Sequence, residues 1–146
     1  MQDPTIGTNA NTQGEIFPFV ELKDARTGKR TTPTLDGLPT VVNFWYSTCP
    51  PCREEMPEFM KAQTEHGPKG LQFVGIAVDQ ADKVSQFATE IGLNYPTLVG
   101  GFGAMELSKT LGNTLMALPF TVVLDRKGAV AHTQLGVLKP DKLDAI

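Results

Sequence analysis

The stretch from Phe44 to Cys52 reads FWYSTCPPC and contains both cysteines of this 146-residue chain. It continues a largely apolar run that begins at Val41, which is typical of a strand buried on both faces of a sheet. Pro50 and Pro51 have a fixed φ and no N–H to donate, so they fit the first turn of a helix but no deeper position. The stretch therefore predicts a strand that leads directly into a helix.

Cys49 is expected at or near the N-cap of that helix, where free N–H groups and roughly half a positive charge favour a thiolate over a thiol. Cys52 lies inside the helix and shares a face with Met56, Phe59 and Met60, so we expect it to point toward the core. This arrangement is typical of a dithiol redox centre. An exposed Cys49 would attack a partner disulfide, and a covered Cys52 would then resolve the mixed disulfide.

The same two cysteines leave other interpretations open. A disulfide that closes so small a loop adds little stability through chain entropy, which argues against an inert crosslink. Zinc sites usually need four ligands, and only His66 and His132 could join the cysteines, without any metal-ligand spacing. Copper(I) needs only two soft sulfurs, so a metallochaperone remains an alternative. A peroxidase is a further alternative, although such enzymes commonly use a more distant resolving cysteine.

Composition and charge favour one soluble domain with an ordinary core, since 40% of the residues are hydrophobic and 20% are charged. The net charge of −3 and the scattered basic residues argue against nucleic acid or an anionic membrane surface as a partner. No segment approaches the roughly 18 apolar residues of a membrane span. We expect a flexible polar leader over residues 1–15 and a single domain over residues 16–146.

The rest of the chain predicts strands and helices that alternate around the cysteine stretch. An edge hairpin is expected from Phe17–Leu22 and Lys29–Thr31. Leu71–Val78 predicts a second buried strand, and strand, helix, strand implies a right-handed parallel crossover. The later elements, in chain order, are a helix from Asp82 to Gly92, a strand over Tyr95–Val99, a helix over Ala104–Leu111, a hairpin of Phe120–Leu124 with Ala129–Leu135, and a helix over Lys139–Ile146.

Two motifs resemble the thioredoxin superfamily: the C-x-x-C at a strand-to-helix junction, and Leu118-Pro119 ahead of a strand and hairpin. The run from Phe44 to Pro57, FWYSTCPPCREEMP, is similar more narrowly to the TlpA/ResA/CcmG-like branch. The resemblance implies an α/β thioredoxin-like fold. Its central mixed sheet would have about five strands flanked by helices, with an N-terminal β-hairpin and an extra βα unit around Gln80–Gly92.

The resemblance also implies a function. Members of this branch are thiol–disulfide oxidoreductases of the bacterial cell envelope, and many act as reductants in cytochrome c maturation. It implies protein thiol or disulfide substrates, an upstream electron donor such as a membrane thiol reductase, no cofactor or metal, and a monomer. It further implies a periplasmic or other extracytoplasmic location, which the polar leader also favours, with a membrane anchor in the full-length protein left open.

The resemblance also indicates which residues bind substrate. Leu118-Pro119 matches the superfamily's cis-proline and is expected to face the cysteines. Thr48 stands where many members have Trp before the first cysteine, so the docking surface is expected to be less apolar. The expected substrate-binding residues are Trp45, Thr48, Pro50, Pro51, Leu118 and Pro119.

A proton acceptor for Cys52 is expected at Glu55. Thioredoxins have a buried Asp at the position of Asn43, and an amide cannot take that proton. Glu55 lies three residues after Cys52 on the same side of the helix and matches a Glu of the branch. We therefore predict Glu55 as the catalytic base, with a pKa raised by partial desolvation.

Overall fold

The computed structural model of the chain describes residues 13–138. Its strands are β1 (Leu22–Asp24), β2 (Arg30–Thr31), β3 (Thr40–Trp45), β4 (Gln72–Ala77), β5 (Thr97–Val99), β6 (Phe120–Leu124) and β7 (Val130–Leu135). Its α-helices are α1 (Pro50–His66), α2 (Ala81–Ile91) and α3 (Gly101–Thr110), and a short 3-10 turn, Gly67–Lys69, follows α1.

The strands form one mixed sheet in the order β2-β1-β5-β4-β3-β6-β7. β3 is parallel to β4 and β4 to β5, whereas β6 is antiparallel to β3. The predicted thioredoxin-like α/β fold is confirmed. The sheet has seven strands rather than about five, because the N-terminal hairpin joins it where β1 pairs with β5.

Helices cover both faces of the sheet, as predicted. The side chains of β3 alternate in direction, so this strand contributes to a core on each face. Val41 and Trp45 belong to a core shared with α1 and α2. Val42 and Phe44 belong to a second core, shared with α3. β3 is fully buried between these two cores, which explains its nearly continuous apolar sequence.

The segments that form the candidate site meet at one end of the sheet, where the parallel strands finish. The parallel strands β3, β4 and β5 end there, and each leads into the N-terminus of a helix. β6 begins at the same edge because it runs antiparallel to β3, with Phe120 opposite Phe44. The cysteine stretch and the segment before β6 are thereby brought together.

Several element boundaries differ from the prediction, among them the start of β5 at Thr97 and of α3 at Gly101, and two of the differences have an identifiable cause. The first hairpin strand is Leu22–Asp24 rather than Phe17–Leu22, because Phe17 is buried in the core on the α3 side and Pro18 has no N–H for a ladder. α2 has Gln80 as its N-cap, so Asp82 lies in the first turn instead of capping the helix. Gly92 ends α2 in the left-handed region, as predicted.

Residues 1–12 of the predicted leader and the predicted helix over Lys139–Ile146 lie outside the described residues. Within residues 13–138, none of the helices combines the length and the apolar character needed to cross a bilayer.

Candidate active site

Cys49 is the N-cap residue of α1, and Pro50 and Pro51 occupy the first two helical positions, which confirms the local prediction. The Cys49 backbone is extended, with φ −83° and ψ 108°, and its sulfur accepts the backbone N–H of Cys52 at 3.2 Å. A disulfide joins Cys49 to Cys52, whose Cα atoms are 5.2 Å apart. The structure therefore shows the oxidised form of the pair.

The expected exposure of Cys49 is wrong, since only 1% of the residue is accessible, and Cys52 is fully buried. Its chain neighbours Thr48, Pro50 and Pro51 are exposed. The sulfur of Cys49 faces the carbonyl oxygen of Leu118 at 3.8 Å. It also turns toward the N–H of Cys52 in the first turn of α1, as an N-cap side chain does.

Leu118 and Pro119 are joined by a cis peptide bond and lie beside the cysteines, as expected. Leu118 is half-buried and Pro119 is buried at the start of β6. Antiparallel pairing of β6 with β3 accounts for this contact between residues 69 positions apart. In the reduced form, a Cys49 thiol could donate to the Leu118 carbonyl, which is an acceptor only.

Trp45 belongs to the core rather than to a substrate-binding surface, which corrects its assignment. Its side chain is fully buried, and its indole N–H donates to the Thr97 hydroxyl at 3.2 Å. Its ring also packs against Phe87 of α2, with centroids 5.7 Å apart. Trp45 points inward because β3 is covered on both faces, so a docking protein cannot reach it.

Glu55 is buried on α1, with 1% of the residue exposed. One carboxylate oxygen, Oε1, accepts from Asn43 Nδ2 at 2.9 Å, and Oε2 accepts from the Leu138 backbone N–H at 2.7 Å. Burial raises the pKa of Glu55 to about 7, and the hydrogen bonds from Leu138 and Asn43 only partly offset that effect. Glu55 is therefore divided between its charged and neutral forms near neutral pH.

Asn43 holds Glu55 in place, a role that sequence reasoning missed. Its Nδ2 donates to Thr121 Oγ1 at 3.1 Å as well as to Glu55. Its own Oδ1 is buried with no hydrogen-bond partner among the described residues. The strand pattern contained a signal for this role. Asn43 lies between Val41 and Trp45 on the face of β3 that α1 covers, and a buried polar side chain there needs a hydrogen-bond partner.

Tyr95 is a second buried group whose ionisation is linked to that of Glu55. Burial, and then the negative charge of Glu55, raise the pKa of the Tyr95 hydroxyl well above its ordinary value. Its ring packs on Phe73 with centroids 5.6 Å apart. Tyr95 therefore stays neutral and contributes no charge to the surroundings of Glu55.

Asp79 and Arg53 both contact Ser47, two residues before Cys49, and neither was predicted from the sequence. Asp79 Oδ2 accepts from the Ser47 N–H at 2.7 Å and from the Ser47 hydroxyl. Arg53 Nε donates to the Ser47 carbonyl oxygen. A carboxylate just beyond β4, separated from it by Val78, was the available signal, because the ends of parallel strands meet at one sheet edge.

The described part of the chain contains no preformed cluster of metal ligands. No group of three or more His, Cys, Asp or Glu side chains in residues 13–138 is arranged to hold an ion. His66 ends α1, whereas His132 lies on β7 opposite Val123. Copper(I) would need both cysteine sulfurs free of the disulfide.

Comparisons with known proteins agree with this geometry. Residues 12–146 match the family model described as Redoxin. The chain is 29% identical over 136 residues to "Thioredoxin-like protein YneN" of Bacillus subtilis, covering 90% of this chain and 76% of the relative. It is 27% identical over 126 residues to "Thiol-disulfide oxidoreductase ResA" of Bacillus thuringiensis, covering 86% of this chain and 65% of the relative, slightly less than two thirds of its length.

Solved structures give the same result. A thiol:disulfide interchange protein of the thioredoxin family from Chlorobium tepidum superposes with a TM-score of 0.80 at 26% identity, covering 93% of this chain and 95% of that one. A thioredoxin-related protein from Neisseria meningitidis serogroup B superposes with a TM-score of 0.71 at 32% identity, covering 86% and 94%. The resemblance read from the FWYSTCPPC stretch is confirmed.

Proposed function

The chain belongs to the redoxin family and is a thiol–disulfide oxidoreductase, and on that basis we propose that it reduces disulfides of exported proteins with its Cys49–Cys52 dithiol. The position of Cys49 at the N-cap of α1 carries this proposal. Its sulfur accepts the Cys52 N–H at 3.2 Å, and that N–H together with the helix dipole favours a thiolate. Cys49 is therefore the attacking sulfur.

The reaction proceeds by two exchanges. The Cys49 thiolate attacks one sulfur of the substrate disulfide, forms a mixed disulfide with it, and releases the other substrate sulfur as a thiolate that takes up a proton. The Cys52 thiol loses its proton and attacks Cys49 Sγ, which releases the second substrate thiolate. Two electrons have then passed to the substrate, and the Cys49–Cys52 disulfide remains. A dithiol donor must return those two electrons before the next cycle.

Substrate access is limited by the burial of Cys49. Only 1% of Cys49 is accessible although its neighbours Thr48, Pro50 and Pro51 are exposed, so a substrate disulfide on a protruding or extended segment reaches the sulfur better than one on a flat surface. The Leu118 carbonyl oxygen lies 3.8 Å from that sulfur. Its backbone can pair with an extended substrate segment in the manner of strand addition.

Glu55 is the base for the second exchange. Cys52 is fully buried, and burial disfavours its thiolate, so its proton needs an acceptor inside the protein. Glu55 lies one helical turn beyond Cys52, and a pKa of about 7 leaves part of its population able to accept a proton at neutral pH. Asn43 and Leu138 orient the carboxylate by their hydrogen bonds.

The setting of the reaction is extracytoplasmic, with electrons flowing from an upstream dithiol donor, such as a membrane thiol reductase, toward exported substrates. The similarity of the FWYSTCPPCREEMP run to cell-envelope oxidoreductases supports this setting and favours disulfides reduced during cytochrome c maturation as one substrate class. The curated relative named as a thiol-disulfide oxidoreductase supports the reaction type.

Cysteine variants test the assignment. Cys49→Ser is expected to abolish reduction of a protein disulfide, whereas Cys52→Ser should still attack and then accumulate as a mixed disulfide visible on a non-reducing gel. The two variants serve as each other's control, since they remove chemically identical groups three residues apart. Trapping by the Cys49→Ser protein instead would reverse the roles of the two sulfurs.

The reduction potential tests the direction of electron flow. We expect the pair to be reducing, and equilibration with glutathione measures its potential directly. A potential at the strongly oxidising end of the scale, about −120 mV, would make the protein an oxidant of its substrates.

A further inference from the structure

Ser47 is held at all of its polar groups by two charged side chains. Its N–H and its hydroxyl both donate to Asp79 Oδ2, and its carbonyl accepts from Arg53 Nε. Asp79 itself is fixed at the end of β4 by a hydrogen bond from the Gln80 N–H to Oδ1 at 2.7 Å. Only Thr48 separates Ser47 from Cys49, so the backbone that delivers Cys49 to the helix cap is set by this Asp79–Ser47–Arg53 clamp.

Arg53 is anchored as well as charged. It lies in the first turn of α1, and its backbone N–H donates to the Cys49 carbonyl at 3.0 Å. Its guanidinium carbon lies 4.1 Å above the centre of the Phe87 ring of α2. The cation therefore occupies a fixed place beside the positive end of the helix, and it does not move freely in solvent.

The two arms of the clamp carry opposite charges. A cation near the helix N-terminus adds to the field that favours a Cys49 thiolate, whereas a nearby carboxylate opposes it. The other charged groups around this loop are Lys83 and Glu90, which line the same shallow groove beside Thr48, and Glu55, which is buried within α1. Glu54 is exposed next to Arg53 on α1.

We propose that Asp79 and Arg53 are positioning residues that set the reactivity of Cys49 through Ser47 and shift it in opposite directions. The inference rests on the proposed function, since it takes Cys49 as the attacking sulfur. Arg53 raises the thiolate fraction of Cys49. Asp79 lowers that fraction while holding the loop in place, so the pair fixes the geometry of the cap without leaving a large net charge beside it.

The test measures the rate at which Cys49 of the fully reduced protein displaces iodide from iodoacetamide, as a function of pH, with the labelled cysteine identified by peptide mass. Below the midpoint of this profile, Arg53→Gln is expected to slow alkylation about threefold and move the midpoint to higher pH. The effect is modest because solvent partly screens the charge of an exposed side chain. Asp79→Asn, which keeps an oxygen for Ser47, is expected to speed alkylation about threefold and move the midpoint lower.

Three further variants separate tuning from damage to the fold. The double variant Arg53→Gln with Asp79→Asn should return the midpoint close to that of the wild type. Arg53→Lys keeps the charge and should recover most of the Arg53→Gln shift. Glu54→Gln removes an exposed charge beside Arg53 without touching Ser47, and should move the midpoint less than either clamp variant does.

The outcomes are distinct. If both clamp variants slow alkylation, or if neither moves the midpoint more than Glu54→Gln does, the clamp acts only as a structural support and the inference is wrong. If Cys52 of the reduced wild-type protein proves more reactive than Cys49, the assignment of the attacking sulfur fails first. A melting curve for each variant shows whether a loss of reactivity reflects unfolding. If a single variant unfolds, the midpoints of Arg53→Lys and of the double variant decide whether the two charges tune Cys49.

Discussion

Two carboxylates adjoin the cysteine stretch, and their pKa values move in opposite directions. Asp79 contacts Ser47 ahead of Cys49, and Glu55 follows Cys52 by one turn of α1. Burial would raise the pKa of Asp79, but the hydrogen bonds from Ser47 and Gln80 and the charge of Lys83 outweigh it and lower that pKa. At Glu55, burial outweighs two hydrogen bonds and raises the pKa to about 7.

The difference shows what decides which acid can exchange a proton at neutral pH. Both carboxylates accept a backbone N–H and a side-chain donor, so hydrogen bonding alone does not distinguish them. Asp79 is half-buried at the protein surface, whereas Glu55 is almost inaccessible. Desolvation therefore leaves Glu55 able to take up a proton near neutral pH, whereas Asp79 stays charged there.

The largest expected effect concerns the second exchange. Glu55→Gln keeps the shape of the side chain but removes the proposed base. The mixed disulfide with a protein substrate should then resolve about a hundredfold more slowly, within the usual range for a lost general base. In the wild type, the resolution rate should rise as pH increases through about 7, since the deprotonated form accepts the proton. Rapid-quench single-turnover experiments over a pH series measure both.

Asp79→Asn provides the matched comparison in that experiment, with Glu58→Gln on α1 as the control. We expect Asp79→Asn to alter the resolution rate only a few-fold and to leave the inflection near pH 7 in place. Resolution of the Glu55→Gln protein at the wild-type rate would remove Glu55 from the mechanism.

The next effect concerns stability. The pKa of Glu55 rises from its ordinary value of 4.5 to about 7 on folding, so between these pH values the native state holds a proton that the unfolded chain does not. The stability contributed by that proton is fully present below pH 4.5 and is lost as pH rises through about 7. The difference amounts to roughly 3 kcal/mol.

Glu55→Gln should therefore flatten the decline in stability between about pH 4.5 and 7. Urea unfolding at several pH values measures the free energy of unfolding of both proteins. An equally steep decline in the variant over this range would contradict a raised pKa of Glu55 in the folded state.

The smallest effect has the opposite sign. Folding lowers the pKa of Asp79, so its contribution to stability is present above the ordinary value of 3.8 and is lost as pH falls through its folded pKa. Because Asp79 is partly exposed, solvent screening should keep this contribution under about 1 kcal/mol. Asp79→Asn should lower the free energy of unfolding slightly at pH 7, and by less as pH falls below 3.8. An effect larger than that of Glu55→Gln would reverse the order.

Much of the fold and part of the site could be predicted because their signals are local. Two prolines after Cys49 are compatible with only one place in a helix, and the apolar run from Val41 is compatible with only a buried strand. The position of Cys49 at a helix cap, which favours its thiolate, and the burial of Cys52 follow from the same nine residues, Phe44 to Cys52. The family's cis-proline and Glu were accessible through the resemblance of short motifs.

The features that were missed depend on contacts between distant segments. Cys49 was expected to be exposed, yet it is buried, and the carbonyl oxygen of Leu118, 69 residues away, lies 3.8 Å from its sulfur. Asn43 was considered only for its lack of acidity, because nothing in the strand sequence indicates that its partner is Glu55. Asp79 meets Ser47 only once β3 and β4 are paired in register. Side-chain directions at a sheet edge are set by that register.

The hydrogen bond from Leu138 to Glu55 also bears on the order in which the site can assemble. The two cysteines are three residues apart and can meet early in folding, whereas the Leu138 N–H reaches the carboxylate across 83 residues. Contacts of such separation close late, since the intervening chain must first lose its freedom. A nascent chain can thus acquire its disulfide before the proposed proton acceptor is in place. A disulfide between Cys49 and Cys52 needs only local contacts, while resolution of a mixed disulfide with Glu55 as the proposed base requires the finished tertiary structure.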